Sequence, residues 1–303
     1  MDLRIGTSGW HYPGGRGTWN GLFYPVPEDR PKGFDELAFY AERFNTVEVN
    51  STFYGQPRAT VSLAWVRRTP PGFEFSVKLF QKFTHPATAL DRSAVTPGDV
   101  DAFKVGIEPL AAAGRMGALL AQFPARFHAA PESRGYLDWL LRTFAAYPLA
   151  VELRHRSWSD DAGVTAALLA SHEAAWVQID EPKFPSSVRQ DLSPNSSRLM
   201  YVRLHGRNAA GWWAPAQAED RYNYLYPESE LTPLVLRLRA VRAKVRVLYL
   251  YLNNHFAAQA VANATMVREM LDEPVTAPMP GELVAAYPML EGRVATLPRA
   301  RLL

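Results

Sequence analysis

The chain of 303 residues contains no cysteine. That removes disulfides, zinc–thiolate centres, iron–sulfur clusters and cysteine nucleophiles, and leaves the redox compartment unmarked. No apolar run approaches the roughly 18 residues that cross a bilayer. The opening Met-Asp-Leu-Arg-Ile-Gly-Thr has neither a basic nor an apolar signal region. These absences predict a cytoplasmic protein with no membrane partner. Excess charge of one sign is scarce too, with 33 Lys and Arg against 30 Asp and Glu. The pI of 9.1 is therefore no global nucleic-acid signature, and any basic patch must be local. Nothing in the sequence addresses oligomeric state.

What is present is an ordinary globular composition, 48% hydrophobic and 21% charged, enough for a sizeable core. Short apolar runs recur along the chain at 3–8, 46–50, 73–79, 117–123, 149–153, 174–179, 199–206 and 246–252. Nearly all are continuously apolar, as strands of a parallel sheet buried on both faces require. Between most of them lie helical patterns, among them 34–44, 60–68, 159–171 and 256–271. Thr96-Pro97-Gly98-Asp99 reads as a helix start with Thr as cap and Pro in the first turn. Ser229 is the expected cap of a helix reaching Lys244. The segment 181–198 is rich in Pro, Ser and Asn without helical period, so that crossover is irregular. The pattern predicts one α/β domain over 1–271, a (β/α)8 TIM barrel with an irregular crossover between strands 6 and 7. Residues 272–303, broken by prolines and glycines, are expected to form a surface tail.

The run Leu199–Gly206 carries most information. Strict alternation places Tyr201, Arg203 and His205 on one face and Met200, Val202 and Leu204 on the other. In such barrels working residues stand at the carboxyl ends of strands. Those ends hold Glu48 and Asn50, Lys78, Gln122, Glu152 and Arg154, Asp180, Arg203 and His205, and Asn253. Taken singly, each charged residue could be half of a structural ion pair. Together, three carboxylates, three cations and a histidine are more buried charge than stability favours, because desolvation opposes each group.

Lys78, Arg154 and Arg203 suit an anionic ligand, with Asn50, Gln122, Asp180 and Asn253 as further binding groups. Glu48, Glu152 and His205 are the candidates to move protons. Arg203 is the best single anchor for an anion, against a structural alternative in which it only neutralises Glu48 or Glu152. A bound metal is not expected, since only one histidine falls on a strand interior, and no cofactor is implied. The glycines of 14–17 match neither phosphate-loop pattern and read as a bent loop with aromatic anchors. The loop 206–226, with Arg207, Trp212, Trp213, Arg221, Tyr222, Tyr224 and Tyr226, is either a self-packed lid or a stacking surface for bases or sugars.

Several motifs in order resemble the YecE-like family. They are Thr46-Val-Glu-Val-Asn-Ser-Thr-Phe-Tyr54, Lys78 with Thr84-His85, Gln122-Phe123-Pro124, and Glu152-Leu-Arg154 with Ser157-Trp158. Tyr201-Val-Arg-Leu-His-Gly206, Tyr222-Asn-Tyr224 and Asn253-Asn-His255 complete the set. The resemblance spans 3 to about 271 and implies a TIM-barrel domain of unknown function. In general form that barrel is similar to apurinic endonucleases and sugar isomerases, whose histidine-rich metal ligation is not evident here. The expectation is an enzyme acting on a phosphate-bearing ligand, such as a nucleotide, sugar phosphate or nucleic-acid end. The alternative is a non-catalytic module that holds nucleic acid or a protein through 206–226.

Overall fold

A computed structural model describes residues 2–85, 94–212 and 217–297. Strand β1 is Asp2–Thr7, β2 Thr46–Val49, β3 Glu74–Lys78, β4 Met116–Gln122 and β5 Leu149–Glu152. Then come β6 Ala175–Trp176, β7 Gln178–Asp180, β8 Leu199–Leu204 and β9 Val247–Leu252. All pairings are parallel, and helices follow most strands on the outside, as near-continuous burial of both strand faces demands. The fold is thus mixed α/β with parallel strands. Among the described residues no helix is long and apolar enough to cross a membrane.

The hydrogen-bonded ladder falls into two sheets, β1-β9-β8-β7 and β2-β3-β4-β5-β6. They meet at two seams, and at both seams side chains replace ladder bonds. Between β1 and β2, Asn45 accepts from the Ile5 N–H at 3.2 Å and donates to the Leu3 carbonyl at 2.7 Å. The Tyr40 hydroxyl accepts from the Thr7 N–H and donates to the Thr46 carbonyl. Gly6 permits this approach, since a Cβ there would stand 2.1 Å from the Thr46 oxygen. Beyond the seam the Gly9 N–H donates to the Glu48 carbonyl at 2.8 Å.

The second seam lies inside the predicted sixth strand, which breaks at Val177 so that β6 pairs with β5 and β7 with β8. Here the irregular crossover supplies the missing partners. Asn195 accepts from Trp176 N–H and donates to the Ala174 carbonyl, while Gln190 does the same for Ile179 and Val177. The irregular course of 181–198 thus lets the amides of Gln190 and Asn195 reach a strand edge.

Local signals hold where chemistry is local. Thr96 and Asp99 form the reciprocal capping box of the helix Pro97–Ala112. The helix predicted to start at Ser229 begins at Glu228 behind Pro227, without a side-chain cap. The helix expected over 159–171 is two, Ser157–Asp160 and Ala162–Ala170, with Asp161 capping the second through the Val164 N–H. In the stretch after 271, Gly281–Ala286 is helical and Met279, Leu283 and Leu290 are fully buried. Residues 298–303 lie outside the described residues.

Because Leu283 packs into the core cluster, Leu283→Ala should lower unfolding stability by about 2–5 kcal/mol. Urea denaturation of the two proteins, compared at constant slope, measures it. An unchanged midpoint would show that this stretch adds nothing to the fold.

Candidate functional site

The interior between the two sheets is polar and layered. Lowest, Tyr249 of β9 donates to Glu74 of β3 at 2.7 Å. One step higher, Tyr251 meets Thr46 at 2.6 Å and Ser76 at 2.9 Å. Above them Arg203 of β8 crosses from one sheet to the other. Its Nη2 donates to Glu48 Oε1 of β2 at 2.7 Å and its Nη1 to Glu152 Oε2 of β5 at 2.6 Å. Tyr201 donates to the second Glu48 oxygen at 2.7 Å, and Asn50 donates to Oε1 at 3.2 Å. The alternation read from 199–206 is what allows this, since Tyr201 and Arg203 share a face.

Glu48, Glu152 and Arg203 are all but sealed from solvent. Burial pushes the Glu48 carboxyl up, but Arg203 and its hydrogen bonds carry it net below the ordinary range. Burial acts the same way on Glu152, and Arg154 with Arg203 hold it well below. Both are therefore carboxylates, and Arg203 is the cation between them. Of the two roles open to Arg203, neutralisation of Glu48 and Glu152 is what its terminal nitrogens do.

Above this layer stand the groups nearest the opening. Arg154 donates from Nε to Glu152 Oε1 at 2.6 Å, lies 3.6 Å from Glu181, and keeps 21% of its side chain exposed. Its Nη2 is 3.3 Å from His205 Nε2. Arg154 can only donate, which favours a lone pair on Nε2, whereas the carboxylate oxygen Glu152 Oε1, 3.7 Å from the same nitrogen, favours a proton there. Asn253, 2.9 Å from Nδ1, can serve either tautomer by turning its amide oxygen or its amide nitrogen inward. Burial, together with the charges of Arg203 and Arg154, depresses His205 to about 4, so the imidazole is neutral.

Lys78 ends β3 with its Nζ over the Phe53 ring at 4.0 Å and no carboxylate within ion-pair distance among the described residues. Burial, reinforced by Arg203, brings its amine down to about 7. Gln122, His85, Arg154, Glu181, Trp212 and Arg221 line a cleft of about 220 Å³. Burial, with help from Glu152, raises the Glu181 carboxyl against the pull of Arg154. Its Oε2 is buried without a hydrogen bond among the described residues.

Asp180 is turned away from this group. Arg207 grips it with two bonds of 2.8 and 2.7 Å, and Tyr226 donates to it at 2.8 Å. It anchors the loop after β8. Gly206, at φ 88°, starts that loop, and its N–H donates to the Tyr226 hydroxyl. Tyr226 and Trp212 are buried and Tyr224 bonds Glu230, so much of the loop packs on itself; Trp213 lies outside the described residues. Sequence reasoning missed Glu181, although its signal is simple: an acidic residue directly following the last residue of a strand. It also missed a second cavity beside β1 and β2, lined by Trp10, Tyr54 and Trp65. Those residues are scattered over helices and a loop, where no periodic signal joins them. Among the described residues no cluster of three or more His, Asp or Glu side chains is arranged to hold a metal ion.

The family model for a protein of unknown function, DUF72, matches residues 4–284. The chain belongs to the DUF72 family. It is 28% identical over 277 residues to UPF0759 protein YunF of Bacillus subtilis, covering 89% of this chain and 95% of that protein. It is 35% identical over 127 residues to UPF0759 protein YecE of Escherichia coli K12, 41% of this chain and 43% of that one. A crystal structure of a DUF72 family protein from Thermotoga maritima superposes with TM-score 0.76 at 34% identity, covering 90% of this chain and all of that one. Another, from Enterococcus faecalis, gives TM-score 0.77 at 24% identity and shares the fold over 89% and 95% of the two chains.

In this DUF72 chain Arg203→Gln leaves two buried carboxylates without their common cation. Stability should fall by about 3–5 kcal/mol, read as a loss of urea midpoint. A change within error would mean that solvent already screens the pair.

Acid sensitivity follows from the buried imidazole of His205 and the partly buried ones of His85 and His255. His205, His85 and His255 are each brought to about 4, chiefly by burial, whereas unfolded histidine titrates near about 6.5. Between these values the unfolded chain holds more protons, so stability rises with pH there and is lost as pH falls from about 6.5 toward 4. Denaturation at stepped pH should show this slope, reduced in His205→Asn. A flat profile across the window would contradict neutral imidazoles.

Proposed function

We propose that this protein is an enzyme acting on a phosphate-bearing ligand held above the Arg203 layer. The observation that carries this reading is an excess of positive charge at the opening. Arg203 and Arg154 together match the charges of Glu48 and Glu152. That leaves Lys78, with no carboxylate at ion-pair distance among the described residues, as the surplus cation, while burial raises the carboxyl of Glu181. Arg154 lines the cleft, and Lys78, at the end of β3, is close enough to feel the charges of Arg203, Glu152, Glu48 and Arg154. Arg154 presents a fork and Lys78 a point charge, the pair of shapes that meets a phosphate. An arriving anion would also hold Lys78 protonated.

In this reading the two parallel sheets form one (β/α)8 barrel, sealed at its seams by side chains, with residues 1–271 as the domain and the rest as its covering tail. The strands' carboxyl ends then converge on the cleft, as they do where barrels carry chemistry. Proton transfer falls to Glu181, whose carboxyl is raised by burial, and to Lys78, whose amine is brought down to about 7. Glu48, Glu152 and His205 act through Arg154 and Arg203 as positioning residues, and Gln122 contributes an amide to the ligand. The self-packing of the described part of 206–226 supports a lid in preference to a nucleic-acid platform.

A thermal-shift screen of phosphorylated metabolites tests it. A true ligand at about a hundredfold over its Kd should stabilise the fold by about 2.7 kcal/mol, and Arg154→Gln or Lys78→Met should abolish the gain. Stabilisation that survives both substitutions, or no response to any phosphorylated compound, would refute the reading.

A further inference from the structure

We propose that the aromatic cavity between the loop after β1 and the helices Glu36–Ala41 and Ala59–Arg67 is a binding site for a neutral, hydroxyl-bearing sugar ring. The cavity holds about 600 Å³, within the range of small-molecule pockets. Its walls are Trp10 and Trp65, which meet edge to face at 5.7 Å and 86°. Tyr54 stands at the rim with 76% of its surface exposed. Because Tyr54 also lines the cavity, most of its ring is available to a ligand held there.

Shape and charge choose the ligand class. Trp10 and Trp65 stand perpendicular, and Trp65 is buried and stacked on Phe75, so the two form no parallel slot for a flat nucleobase. The open Tyr54 ring offers a single aromatic face to the apolar C–H side of a puckered ring. The charges lining the cavity are paired. Arg30 lies 2.6 Å from Glu36, and Arg68 lies 3.1 Å from Asp35. The pocket is thus electrically balanced, and its carboxylates oppose a phosphate. Each pair still offers spare N–H groups and oxygen lone pairs, and a hydroxyl uses both, since it donates and accepts. Arg68 and Asp35 keep 39% and 28% of their side chains exposed, within reach of such a ligand. Asn50 lines the cavity and donates to Glu48, so occupancy here touches the buried network from the side away from the phosphate cleft.

Saturation-transfer NMR with methyl β-glucopyranoside, cellobiose and adenosine on the full chain tests this. Both sugars should receive saturation from the protein at millimolar concentration, and adenosine should not. Tyr54→Ala, which removes an exposed ring and should leave the melting temperature unchanged, should weaken sugar binding by about tenfold, the loss of one stacking contact. Arg68→Gln should weaken it as well. Lys78→Met should leave it unaltered, so failure of the phosphate reading and failure of this one are separable. Adenosine binding in place of the sugars, no transfer to either sugar, or sugar binding indifferent to Tyr54→Ala would each overturn the proposal.

Discussion

The bridge from Arg203 to Glu48 and Glu152 is the constraint on which the rest of the interior depends. Two carboxylates buried at this depth would repel each other and lose their hydration, and only a cation with two separated donors can hold both. Arginine supplies that geometry, and lysine would not. Because Glu48 belongs to one sheet and Glu152 to the same sheet three strands on, while Arg203 belongs to the other, the bridge ties the sheets through the interior. Tyr249, Tyr251 and Tyr201 make similar crossings, so the interior is held by hydroxyl and guanidinium donors as well as by apolar packing.

This arrangement sets the electrostatics of everything above it. With Glu152 shared between Arg203 and Arg154, the upper layer begins from a nearly neutralised floor. Burial, with the cations beside it, keeps His205 neutral, and burial with the same Arg203 presses Lys78 toward deprotonation. Burial and this ion-pair network together set which groups near the opening carry charge and which carry exchangeable protons. The same layer touches Asn50 and, through it, the wall of the aromatic cavity, so the two pockets share a support though they differ in chemistry.

The seams show how an irregular segment earns its composition. Asn45 and Tyr40 on one side, and Gln190 and Asn195 on the other, satisfy backbone groups that would otherwise be stranded between sheets. Composition marked the 181–198 crossover as different from its neighbours, but not what it was for. Its amides act on a strand edge reached only after the chain has turned back.

By itself the sequence determined the parallel α/β class, the strand faces and the residues of the charged layer. Period-two alternation in a buried strand fixes which side chains share a face, and that information is local. It therefore brought Glu48, Glu152, Arg154, Arg203 and His205 to one place. Only the tertiary structure decided their states: that Arg203 is consumed by two carboxylates, that Asp180 turns to Arg207 and Tyr226, and that Glu181 lines the cleft beside Arg154 with its Oε2 buried and without a hydrogen bond among the described residues. Those outcomes rest on distances between strands far apart in sequence, and on how much water each group keeps, and no local pattern encodes either.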